Sequence, residues 1–128
     1  MDEIQLGPHQ RLTILESTLE VLRMEARWEP GGGPPIAHLH PGQDEEFEVL
    51  EGTLRVVLDG AERNLAQGDR LTIPRATGHA MWNAGEEPAR ATWAVRPALG
   101  TEEMFRTIAS GGVPDFLERF SAEFRLAP

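Results

Sequence analysis

A chain of 128 residues with 21 acidic side chains against 12 basic ones carries a net charge of −9 and contains no cysteine. That length suits one domain whose core is large enough to need no disulfide or structural metal. The missing thiols exclude a disulfide scaffold, a cysteine nucleophile and a thiolate zinc site. The acidic balance, with no Lys/Arg cluster, weighs against a nucleic-acid backbone or an anionic membrane surface as partner. No apolar run approaches the ~20 residues of a spanning helix. The start, MDEIQLG, is acidic where a secretory leader would be basic, so a cytoplasmic location is expected.

In chain order, residues 1–9 show no clear pattern, with Leu6 a candidate cap for the end of a barrel. Arg11–Glu16 alternates weakly. Within Thr18–Trp28 the apolar set Leu22, Met24, Ala26 and Trp28 opposes Arg23, Glu25 and Arg27 with a period of two, which predicts a strand with one buried face. Glu29–Pro35 reads EPGGGPP and predicts a loop. Ile36–His40 follows, then a Pro-Gly break at Pro41-Gly42. Glu45, Phe47 and Val49 then alternate with Glu46, Glu48 and Leu50, and Gly52 ends that run.

Leu54, Val56 and Leu58 form the next inward set, and Asp59-Gly60 is a two-residue hairpin signal. Ala61–Leu65 returns, Gln67-Gly68-Asp69 turns, and Arg70–Ile73 runs to Pro74. Gly78–Asn83 places His79, Met81 and Asn83 on one face. Arg90–Arg96 does the same for Ala91, Trp93 and Val95. About nine or ten short strands between Arg11 and Arg96 predict an all-β sandwich or barrel. Helix signals begin after Pro97. Thr101 is a candidate N-cap with Glu102 and Glu103 in the first turn, and Gly111-Gly112 is the stop. Pro114 suits the start of a second helix with Phe116, Phe120 and Phe124 at i, i+4 and i+8. That stripe is expected to pack on the barrel or on a dimer partner.

Chemistry concentrates in Ile36–Gly52. In an extended segment His38 and His40 point the same way. A carboxylate beyond the turn gives the nitrogen and oxygen donors that a divalent metal takes. Glu45 shares the face of Phe47 and Val49, which aims it inward. Asp44, Glu46 and Glu48 belong to the opposite phase. His9 belongs to no such pattern and is expected at the surface. Asn83 is expected to fix a turn.

These residues resemble the cupin superfamily, in particular its small single-domain metal-binding members. The first cupin motif is matched by Gly32, His38, His40, Glu45 and Gly52 at every spacing. The second is matched by Gly68, Pro74, His79 and Asn83, with Ala76 where the motif has glycine. The Cβ at Ala76 predicts a negative φ there.

The resemblance implies an all-β, jelly-roll-like barrel over residues 10–97 within one domain, and the helix signals beyond the motifs place helices near 101–125. It implies one divalent transition metal (Fe, Mn, Ni, Cu or Zn) on His38, His40, Glu45 and His79. Met24, Phe47, Met81 and Trp93 are candidate pocket walls. It also implies a small-molecule substrate or ligand and a homodimer. The expected activity is that of a metal-dependent, dioxygenase-like oxidoreductase on a small oxygenated or aromatic compound. The alternatives are a metal-dependent isomerase or epimerase and a non-catalytic sensor.

Overall fold

The computed structural model describes residues 2–128. Eleven strands and two short helices follow one another within them: β1 (Asp2–Gln5), β2 (Gln10–Ser17), β3 (Leu22–Trp28), β4 (His38–Leu39), β5 (Asp44–Glu51), β6 (Thr53–Leu58), β7 (Ala61–Ala66), β8 (Arg70–Ile73), β9 (His79–Trp82), β10 (Ala89–Arg96), α1 (Thr101–Ala109), α2 (Phe116–Arg119) and β11 (Arg125–Leu126). All pairings are antiparallel. They build a six-stranded sheet in the order β1-β2-β3-β10-β5-β8 and a five-stranded sheet in the order β11-β4-β9-β6-β7. One hydrophobic core takes side chains from both sheets. Among the described residues no helix is long and apolar enough to cross a membrane.

The period-two alternation decides the faces. On β3 Leu22, Met24, Ala26 and Trp28 are buried, while Arg23 and Glu25 pair across strands with Glu16 and Arg90. Ala89 sits opposite the large Trp28, and Trp93 lies between Met24 and Phe47 on its two neighbouring strands. Phe47 and Trp93 stack at 5.2 Å between ring centroids. Asp59 (φ 50°) and Gly60 (φ 82°) close the β6–β7 hairpin in the doubly left-handed turn that matches strand twist. At Gly52 (φ 74°) a Cβ would lie 2.5 Å from the Pro88 carbonyl oxygen, so only glycine lets these strands approach.

Four expectations are corrected. Residues 2–5 form an edge strand, which pairs with β2 from Asp2↔Ile14 to Gln5↔Arg11. Ala76 has a positive φ of 61°, because its N–H turns to the His40 carbonyl oxygen at 2.8 Å. Thr101 lies inside α1, behind the N-cap Gly100, and its Oγ1 accepts from Gln43 Nε2 at 2.7 Å. The second helix is a single turn, so Phe116, Phe120 and Phe124 do not form a helical stripe. All three instead pack on their own barrel.

The left-handed backbone at Ala76 costs an L-residue roughly 1–2 kcal/mol. Glycine would recover this, less about 0.5–1 kcal/mol of extra chain entropy when unfolded. Ala76→Gly is therefore expected to raise stability by about 0.5 kcal/mol in urea unfolding. A clear loss of stability would contradict the strain argument.

Candidate metal centre

Three imidazoles converge because three short structures aim them at one point. β4 carries His38, the turn after it carries His40, and β9 begins at His79, whose Cα faces that of His38. Their ring centroids lie 4.5–5.1 Å apart. One ring nitrogen from each lies within 4.8 Å of the others, a spacing that could hold a metal ion.

Each Nδ1 meets a backbone carbonyl. His38 reaches Ile36 O at 3.0 Å, His40 reaches Glu123 O at 2.7 Å, and His79 reaches Thr77 O at 3.0 Å. A carbonyl only accepts, so every Nδ1 carries the hydrogen and every neutral ring keeps its Nε2 lone pair for the centre. This is how imidazole ligands are oriented in metal sites.

Glu45 enters from the opposite sheet, at the start of β5, and is 1% exposed. Trp93 Nε1 donates to its Oε2 at 2.7 Å. The other oxygen, Oε1, lies 3.0 Å from His40 Nε2 and 3.1 Å from His79 Nε2. Yet neither Oε1 nor His40 Nε2 has a hydrogen-bond partner. Close, buried polar atoms without a hydrogen bond need an explanation, and a shared cation supplies one. Ligands about 2.1 Å from one metal and at right angles to it stand about 3.0 Å apart. The three histidines therefore fit a metal, with Glu45 Oε1 beside two of them.

Charge at His38 and Glu45 supports the same reading. Burial lowers the His38 pKa to about 4, with His79 and His40 adding to the effect, so its ring is neutral and free to ligate. Burial alone would raise the Glu45 carboxyl, but His40 and His79, whose Nε2 atoms face its Oε1, outweigh it and hold it down at about 2. For His40 burial is likewise the largest influence and lowers the pKa, but Glu45 and the Glu123 carbonyl together raise it above its ordinary value. The competing carboxylates are engaged elsewhere. Asp44 accepts from the Arg75 backbone and side chain, Glu48 pairs with Arg70, and Glu46 faces Arg96.

The histidines and Glu45 line a cavity of about 160 Å³. Phe47, Met81 and Trp93 line it, whereas Met24 is wholly buried in the core. His9 is exposed. Asn83 fixes a turn, donating to Trp28 O and Glu87 O while its Oδ1 accepts from Gly85 N.

Sequence reasoning missed the C-terminal contribution: Met104, Phe105 and Ile108 of α1, and Phe124, complete the walls. The apolar spacing of α1 and the recurring phenylalanines were the available signals. A second cleft of about 210 Å³ shares Leu6, Gln10, Trp28, Pro35 and Met81 with this cavity and extends from it toward His9 and Gly32.

A family model described as a cupin domain matches residues 24–95, more than half of the chain. An oxidoreductase, iacF of Pestalotiopsis fici, is 49% identical over 51 residues, which span 39% of this chain and 24% of that protein. The tetracenomycin polyketide synthase protein TcmJ of Streptomyces glaucescens is 31% identical over 67 residues, 52% of this chain and 45% of that one. The chain thus spans less than half the length of either relative. The structure of KdgF from Halomonas sp. matches with a TM-score of 0.68 at 23% identity, covering 76% of this chain and 86% of that one, a likeness of fold.

Proposed function

This chain belongs to the cupin family, and from that premise we propose that it is a metal-dependent oxidoreductase of the dioxygenase type, acting on a small, largely apolar oxygenated or aromatic compound. The observation that carries the reading is the set of unpartnered buried donors, His40 Nε2 and Glu45 Oε1, beside His38 and His79 at the floor of an apolar cavity. A divalent transition metal on His38, His40, Glu45 and His79 would polarise a substrate oxygen and place it beside dioxygen.

The chain's own residues set what reaches that point. No arginine lines the cavity, and the sequence has no lysine, so a phosphate or carboxylate finds no counterion there besides the ligands. Phe47, Trp93, Phe105 and Phe124 offer flat apolar faces instead. An apolar cavity of roughly 150 Å³ accepts benzene, so the inner chamber suits a single ring. A longer substrate would extend into the adjoining cleft. Relatedness to a protein named an oxidoreductase supports the reaction class.

An isomerase or epimerase needs a general acid/base near the reacting carbon. Apart from the four proposed ligands, the cavity is lined by Gln10 and side chains that do not titrate near neutrality. A non-catalytic binding cupin is the better alternative, favoured by the small size of the cavity. The test is dioxygen uptake by protein loaded with each of Fe, Mn, Ni, Cu and Zn, offered enediol, diketone and flavonol substrates. Metal-dependent uptake with at least one is expected. Substrate binding without turnover across the panel would overturn the enzymatic reading in favour of the binding module.

A further inference from the structure

The strand that carries His38, with His40 in the turn just after it, is weakly held by the family fold. β4 is two residues long and joins β9 through one residue pair, His38↔His79. Before it runs the loop EPGGGPPIA, rich in glycine and proline. A strand so short and so poorly flanked does not hold two imidazoles by itself.

The C-terminal segment supplies what is missing, at four points. β11 pairs with β4 on the side away from β9, with Arg125 opposite Leu39 and Leu126 opposite His38. The N–H of Ala127 donates to Ala37 O at 3.0 Å. The Phe124 ring stacks on His38 at 4.8 Å, with 20° between the planes. The Glu123 carbonyl accepts from His40 Nδ1 at 2.7 Å, which fixes the tautomer that leaves Nε2 bare.

The segment is itself anchored. Phe120 is buried in the core, and the Glu123 carboxylate accepts from Gly100 N at 3.2 Å, at the head of α1. None of these residues lies within the matched family region, 24–95.

We propose that residues 120–127 form a strap that positions His38 and His40, with Phe124 as its principal positioning residue, so that tight metal binding requires the strap to be docked. This rests on the metal assignment proposed above. Docking and metal binding are then linked, and the linkage runs both ways: the strap raises metal affinity, and the metal holds the strap down.

The experiment uses the full chain and Co(II) as probe, in competition with a chelator, together with hydrogen exchange. Phe124→Ala and Ala127→Pro are each expected to weaken Co(II) binding roughly 10- to 100-fold, as loss of a ligand-orienting contact does. Phe124→Tyr keeps the ring and is expected to stay within about threefold of the parent by the same reasoning. Co(II) is also expected to slow amide exchange at Arg125–Ala127 in the parent, an effect a merely structural tail would not show.

Should Phe124→Ala fail to fold, Phe124→Leu and Ala127→Pro carry the same test. A parent chain that folds but binds no Co(II) overturns the metal assignment. A parent that binds it, with variants of equal affinity and strap amides unmoved by metal, overturns the strap alone.

Discussion

His79→Ala is expected to lower metal affinity by more than roughly 100-fold while leaving the barrel folded, because loss of a direct ligand exceeds the 10- to 100-fold effect of losing a supporting contact. His79 is 4% exposed, its Nδ1 is committed to Thr77 O, and its Nε2 faces Glu45 Oε1 at 3.1 Å. No other described His, Cys, Asp or Glu cluster offers a replacement. The fold is expected to survive because the core around β9 rests on its neighbours in the sheet, where Val56 faces Met81, and not on the imidazole. Removing one hydrogen-bonded partner of a buried group costs about 1–3 kcal/mol, within the margin of a domain this size. Metal-to-protein ratios after equilibration, with circular dichroism as the control for folding, check this. Equal metal content in variant and parent would remove His79 from the centre.

Metal loading is expected to stabilise the chain strongly. In the metal-free protein four lone-pair donors face one another in a buried pocket, and Glu45 is held ionised there by His40 and His79. A cation takes these converging donors as ligands and binds only the folded arrangement. At a free metal concentration 100 times Kd the gain is about 2.7 kcal/mol. For a chain of this length that corresponds to about 10 °C in Tm. A chelator should reverse it. Glu45→Gln should lose most of the gain, since the amide cannot offset the metal's charge. Melting curves of stripped and loaded protein decide the matter, and superposable curves for every first-row divalent ion would contradict the assignment.

The sheets were legible because burial imposes a period of two over runs of four to eight residues, as on β3 and β5. Glu45 could be told from Asp44, Glu46 and Glu48 by strand phase together with motif spacing, and the structure places those three in surface ion pairs. β11 was not legible, because two residues carry no period and its existence depends on β4 being beside it. β1 likewise shows little alternation, since only Ile4 is buried.

Phe116, Phe120 and Phe124 kept helical spacing. A single turn without a side-chain cap does not sustain itself, however, and Phe124 leaves it for the face of His38. Ala76 misled because a local steric preference was set against a tertiary hydrogen bond to His40 O, and the hydrogen bond prevailed. Met24 was placed in the right phase but too deep. Facing inward does not separate the core from a cavity wall; only the closed barrel does.

The central claim, that the three histidines and Glu45 hold a transition metal, is tested most directly by anomalous diffraction from crystals of protein purified without a metal-affinity tag. One strong peak is predicted per chain, about 2.0–2.2 Å from the Nε2 atoms of His38, His40 and His79 and from a Glu45 oxygen. A centre without anomalous signal, in crystals soaked with Fe, Mn, Ni, Cu and Zn in turn, would contradict it.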